Sequence, residues 1–245
     1  MDEKAQLNNP VIQTLFSAGA HFALTKSRRH PTAAPFIFGS KNHLEIFDLE
    51  STGAALEKAQ EFVRTLASAG KQILFVGGKQ EAREAVKRGA IAAGMPYVAG
   101  RWLGGSLTNF SQMRKRVERF EKLIAEKESG ELAAKYTKKE RLLIDREISR
   151  LEEAFSGVVS LKQLPAALFV IDSKREHIAV AEAAKMKIPV VSLSNSDCDF
   201  KEVTCPIPGN DSAKASIEFF VNEIVVAYRE GALKKQAPAS EAVLV

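Results

Sequence analysis

Three short, uninterrupted apolar runs constrain this chain more than any other feature: Gln72–Val76, Ala167–Ile171 and Ile188–Leu193. A strand wetted on one face alternates apolar and polar residues, whereas a strand covered on both faces stays apolar throughout. Between these runs lie stretches with helical periodicity, at 54–69, 79–93, 177–185 and 212–228. Strand and helix in alternation predict an α/β fold, a doubly wound parallel sheet. Tyr97–Val98 and Cys205–Ile207 are weaker strand candidates. With 245 residues and 45% hydrophobic content, the chain is long enough to bury a full core. Near the start, Pro35–Phe38 and Leu44–Phe47 flank Gly39–His43 and predict a β-hairpin outside that sheet.

The segment 106–156 breaks the alternation, being too long for one crossover. Met113, Val117, Phe120 and Ile124 repeat at helical spacing, and so do Ile144, Ile148, Leu151 and Phe155, on either side of Ser129–Gly130. Two matching apolar stripes separated by a turn predict an inserted antiparallel coiled-coil helical hairpin, projecting roughly 25 Å at about 1.5 Å per residue. The expected division is therefore a globular α/β domain in two parts, 1–105 and 157–230, with the hairpin 106–156 between them and a flexible tail at 231–245.

Thirty-five Lys and Arg against thirty Asp and Glu leave a net charge of +5. The excess is local. From Ala20 to His43 there are four cations, three histidines and no carboxylate, and from Lys71 to Lys122 eleven cations face four carboxylates. Concentrated positive charge of this kind points to a polyanion. Cys198 and Cys205 fit neither a CxxC redox pair nor a zinc half-site and read as reduced thiols. The beginning, Met-Asp-Glu-Lys, lacks the apolar core of a signal peptide, and no run approaches membrane-spanning length; a cytoplasmic protein is expected.

Several strings could carry chemistry. Phe75–Gln80, FVGGKQ, follows a strand and opens a helix, so its N–H groups and Lys79 could meet a phosphate, although it matches neither GxGxxG nor GxxxxGK[ST]; a tight turn or a contact to an RNA phosphate is favoured over a nucleotide site. Gly100–Phe110, GRWLGGSLTNF, holds the single tryptophan, with Arg101 offering a fork of donors and Trp102 equally suited to packing under a turn. Lys26, Arg28, Arg29 and His30 lie in the carboxylate-free stretch, and Arg114, Lys115 and Arg116 at the foot of the hairpin. Beyond Leu123 the hairpin mixes seven cations with eight carboxylates, as a solvated surface or a protein contact would. Asn195–Asp199 suggests a cation loop but lacks the further spacing of an EF-hand. Ile207–Asp211 supplies a turn and a cap for the last helix. There is no GxSxG, HExxH or HxH, and the four histidines are scattered, so no catalytic, cofactor or metal residues are expected.

Taken together, Arg101–Phe110 (RWLGGSLTNF), Leu164–Asp172 (LPAALFVID), Glu176–Ala179 (EHIA) and Pro206–Asp211 (PIPGND) resemble the bacterial small-subunit ribosomal protein two family, in order and spacing across roughly residues 15 to 230. The resemblance implies a flavodoxin-like sheet, binding to 16S-type small-subunit rRNA between head and body, and a part in docking ribosomal protein one. The family usually continues Gly-His after the counterpart of Gly19–Phe22 and later has Trp-Asn-Pro, where this chain has Ala23–Leu24 and Arg29–Pro31.

The function expected is thus that of a non-enzymatic ribosomal constituent. Its RNA contacts are expected from Lys26, Arg28, Arg29, His30, Lys79, Arg101, Asn109, Arg114, Lys115, Arg116, Lys174 and Arg175. The alternative is a nucleotide- or flavin-binding enzyme, which rests on fold analogy. A hairpin that docks a protein partner is compatible with the first reading.

Overall fold

In a computed structural model of the chain, which describes residues 10–236, every position of β4 (Ile73–Val76), β6 (Ala167–Ile171) and β7 (Val190–Ser194) is buried. With β5 (Tyr97–Val98) and β8 (Cys205–Pro208), these strands form a five-stranded parallel sheet in the order β5-β4-β6-β7-β8. Because successive side chains on a strand leave by opposite faces, the apolar runs divide between two cores. Ile73, Phe75, Phe169, Ile171, Val191 and Leu193 enter one; Leu74, Val76, Leu168, Val170 and Val190 enter the other. Register places Phe75 beside Phe169, and their rings meet edge-on with centroids 5.4 Å apart.

The first core is closed by α2 (Leu49–Ser68), α3 (Gln80–Ala93) and α8 (Lys214–Gln236), with α8 packed along both of the others. Leu56, Ala59, Val63 and Ala67 form the buried stripe of α2, whose first turn is capped by the Asp48 carboxylate accepting from the N–H groups of Glu50 and Ser51. The second core lies under α7 (His177–Lys185), the 101–107 loop, and the roots of α4 (Phe110–Glu128) and α6 (Lys138–Phe155): Trp102, Leu107, Met113, Val117, Phe155 and Val158 are all buried in it. At Gly157 an added Cβ would overlap the carbonyl of Tyr97, so only glycine lets the chain leave α6 flush against the edge strand β5.

Beyond their roots, α4 and α6 run alongside each other, joined through the short α5 (Glu131–Lys135) after Gly130, which turns the chain at φ +77°. Phe120, Leu123 and Ile148 are buried between them, and Arg119–Glu147 (2.7 Å) and Lys127–Asp145 (2.7 Å) bridge them at the surface. Of the two apolar stripes expected here, Phe120, Ile124, Ile144 and Ile148 lie in this contact, whereas Met113, Val117 and Phe155 are buried in the second core.

Two departures from the expectations have simple causes. The amino-terminal unit follows α1 (Pro10–Ser17) and is a three-stranded antiparallel sheet in the order β1-β3-β2, with β1 (Phe22–Thr25) joining the expected pair β2 (Ile37–Lys41) and β3 (Leu44–Phe47). β1 is four residues long and its register slips between Phe22 and Thr25, which leaves little alternation to detect. The tail expected from residue 231 is helical to Gln236: Gly231 is buried against Arg64 and Ala67 of α2, and a side chain there would hold the two helices apart. The remainder of that expected tail, 237–245, lies outside the described residues. Among those described, no helix is long and apolar enough to cross a membrane.

Candidate nucleic-acid interface

The carboxyl ends of the parallel strands, where α/β sheets commonly bind ligands, are filled by the protein's own charges. Lys79, at the end of the FVGG turn, points its ammonium inward to Asp172 Oδ2 (3.3 Å), Asp211 Oδ1 (3.2 Å) and Ser212 Oγ (3.1 Å). Asn195 Nδ2 donates to the same Asp211 oxygen at 2.9 Å, and the Arg175 N–H donates to Asp172 Oδ1 at 2.9 Å. Burial works against the Lys79 charge, but the Asp211 and Asp172 carboxylates outweigh it and hold the ammonium above its ordinary range. Burial and the Asp172 charge push the Asp211 carboxyl upward.

Lys79 was expected to meet a phosphate, and this geometry redirects it. Its donors are committed to two carboxylates that would repel an incoming phosphate. The FVGG turn is equally closed, since the Gly78 N–H donates to Glu176 Oε1 (3.0 Å) and a Cβ at Gly78 would stand 2.6 Å from that oxygen and 2.6 Å from the Gly100 carbonyl. Asp172, Cys198 and Asp211 bring potential metal-ligating atoms within 4.8 Å of one another, with the Lys79 ammonium already on both carboxylates. Burial pushes the Cys198 thiol up to about 11, away from the thiolate that metals bind.

The GRWLGGSLTNF loop is organised by one residue that the sequence gives no reason to single out. Glu182 of α7 is 7% exposed and accepts from Trp102 Nε1 (3.2 Å), from the N–H groups of Gly105 (2.7 Å), Leu107 (3.0 Å) and Thr108 (3.1 Å), and from Thr108 Oγ1 (3.2 Å). Burial opposes its ionisation, yet these donors overcome it and hold the carboxyl below the usual carboxylate range. Trp102 is buried and serves as packing and anchor. Arg101, one residue earlier, is exposed and takes part in no ion pair among the described residues. Only tertiary contact distinguishes Glu182 from the surface glutamates of an amphipathic helix.

The basic amino-terminal segment is built largely of short 3-10 turns, at 26–28 and 31–36, docked on the loop after β7. The His30 N–H donates to the Ser196 carbonyl (2.7 Å), Leu24 N–H to Ser196 Oγ (3.2 Å), and Phe200 N–H to Thr32 Oγ1 (3.1 Å), while Phe47, Ala33, Ala23 and Phe200 close a small core beneath. Within the segment the cations differ. Arg29 Nη1 is fixed to Glu45 Oε1 at 2.8 Å, with Glu45 2% exposed. The His30 ring bonds Thr32 Oγ1 (2.8 Å) and lies 3.9 Å from Asp199. Lys26 and Arg28 carry no ion pair among the described residues, and both are exposed.

The same division runs through the remaining candidates. Arg114 Nη1 donates to the carbonyls of Val159 and Leu161, 3.3 Å each, and fastens α4 to the chain leaving α6. Lys174 pairs with Asp197 at 2.9 Å. Lys115 and Arg116 are exposed on α4; Arg116 and Asn109 line a small cavity with Gly104 and Gly105. Arg175 is exposed, and it shares a cavity with Arg101. Of the twelve expected residues, Arg29, His30, Lys79, Arg114 and Lys174 are held by partners within the protein, Lys26, Arg28, Arg101, Lys115, Arg116 and Arg175 are outward cations, and Asn109 is an exposed neutral donor.

The chain matches known proteins over most of its length. The family model described as Ribosomal protein S2 matches residues 15–231. The chain is 41% identical over 226 residues to the Small ribosomal subunit protein uS2 of Acidothermus cellulolyticus, covering 92% of this chain and 82% of that one. It is 42% identical over 224 residues to that of Salinispora tropica, covering 91% and 76%, and 40% identical over 225 residues to that of Mesoplasma florum, covering 92% and 84%.

Proposed function

Because the chain belongs to the Ribosomal protein S2 family, we propose that it acts as a structural constituent of the small ribosomal subunit, gripping rRNA through outward cations on a body that performs no reaction. The family is a structural component and not an enzyme, and the nucleotide- or flavin-enzyme alternative has no support in it. The observation that carries the mechanism is the contrast between anchored and outward cations. Anchors hold the amino-terminal segment, the strand ends and the root of α4 rigid, so that Lys26, Arg28, Arg101, Lys115, Arg116 and Arg175 are presented in fixed positions, with Asn109 as a neutral donor beside them. Each phosphate they neutralise releases condensed counter-ions, which drives association without chemistry. His30, Lys79, Arg29, Arg114 and Lys174 support this surface.

The finer architecture belongs to the same reading: a flavodoxin-like body, 1–105 and 157–230, with 106–156 as an antiparallel coiled-coil arm. Leu142, Leu143 and Tyr136 are exposed on or beside α6, 52%, 55% and 39% respectively. Apolar surface on a helix of balanced charge suits a protein partner better than RNA, so the arm is assigned to docking neighbouring small-subunit proteins, ribosomal protein one among them. Cosedimentation with small subunits tests the whole reading. The protein should travel with the particles at low salt and be stripped progressively as salt rises; a protein that never enters the particles would end it.

A further inference from the structure

A trench that the sequence does not announce lies between α3, the end of β5 and the root of α6. It has a volume of about 440 Å³, with Arg83, Lys87, Arg101 and Arg150 on its walls and Ala99, Gly100, Ala154 and Gly157 among its lining. A second cavity of about 330 Å³, shared through Arg83 and Arg101, continues it to Arg175. Arg83 and Lys87 are four residues apart on α3 and face the same way. The neighbouring Arg88 pairs with Glu218 on α8, whereas none of the five trench cations enters an ion pair among the described residues, even though Glu84 and Glu153 lie on the same walls. Arg83 Nε donates to the Gly78 carbonyl at 3.3 Å, which holds its side chain beside the strand end and leaves its terminal nitrogens for another acceptor.

We propose that this trench seats a stretch of rRNA sugar-phosphate backbone, with Arg83, Lys87 and Arg150 as phosphate contacts additional to those assigned above. Planar guanidinium forks match phosphate oxygens, and a lining of glycine and alanine lets a backbone approach closely. An acidic protein segment fits less well, because such interfaces usually add a buried apolar anchor and the larger apolar residues of the trench, Tyr97, Val98 and Leu103, are already half-buried in the protein itself. The assignment rests on the rRNA-binding reading but uses three residues outside it, so the two can fail separately.

The experiment is filter binding of the full-length protein to a small-subunit rRNA transcript between about 50 and 200 mM salt. The variant combining Arg83→Gln, Lys87→Gln and Arg150→Gln is compared with one combining Lys58→Gln, Lys139→Gln and Lys185→Gln, all exposed positions away from the trench. Melting temperatures are measured for both. Loss of three phosphate contacts should lower the slope of log K against log salt by about 2 to 3 and weaken binding about tenfold or more, with the comparison variant unchanged. A trench variant that is folded and keeps the wild-type slope overturns the trench and leaves the proposed function standing. The same variant binding transcript normally but failing to enter small subunits would point to an acidic protein instead, and overturns the RNA assignment. Wild-type protein with no salt-sensitive binding removes both.

Discussion

Arg28 and Arg29 are chemically alike and adjacent, yet they do different work. Arg29 neutralises Glu45, which is 2% exposed, so Arg29→Ala would strand a buried carboxylate and should cost about 3 kcal/mol in chemical denaturation. Arg28→Ala should leave stability unchanged and lower the salt slope of rRNA binding by about 1. Glu182 offers a second test, because the single tryptophan reports on it directly. Its folded-state carboxyl titrates below the unfolded one, so its stabilising contribution is complete above the unfolded value and is lost as pH falls through the lower folded value. Acid titration should therefore shift Trp102 emission only below about pH 4.5, the ordinary glutamate range. Glu182→Gln should produce that shift at neutral pH with a loss of about 2 kcal/mol, since one oxygen acceptor becomes a donor facing N–H groups; an emission spectrum identical to wild type would exclude Glu182 as the organiser of the loop.

At the scale of elements, α4 and α6 share the core of the sheet. Met113 and Val117 of α4 and Phe155 at the end of α6 are buried together with Trp102 and the strand residues Leu74 and Leu168. Cutting the arm at Gln112 and Glu153 removes two of those residues and should open the second core, costing several kcal/mol as large core deletions do. Cutting farther out, at 121 and 147 with a short glycine linker, removes most of the outer contact and should leave the melting temperature of the body within a few degrees. Circular dichroism melts of the two truncations decide this. Equal stability of both would mean that the arm's root contributes nothing to the fold.

For the whole molecule, six outward cations predict a dependence of rRNA binding on salt with a slope of about −4 to −5, more if the trench contributes. A slope near zero would mean that apolar contact, not phosphate neutralisation, holds the protein to its partner. Where the cations concentrate was already legible in the sequence, in a carboxylate-free stretch from Ala20 to His43 and in the basic excess up to Lys122. So was most of the architecture. Apolar runs at β4, β6 and β7, with helical periodicity between them, left few alternatives to a parallel α/β sheet, because burial on both faces of a strand and on one face of a helix imposes patterns of fixed period. What the sequence could not determine was which charges face inward. Lys79 and Arg83 stand four residues apart on one strand-to-helix connection, and only the approach of Asp172 and Asp211, from distant strand ends, turns the first into an anchor while the second borders an open trench. Pairing of charges depends on distances between segments far apart in the chain, and those distances exist only once the sheet has closed.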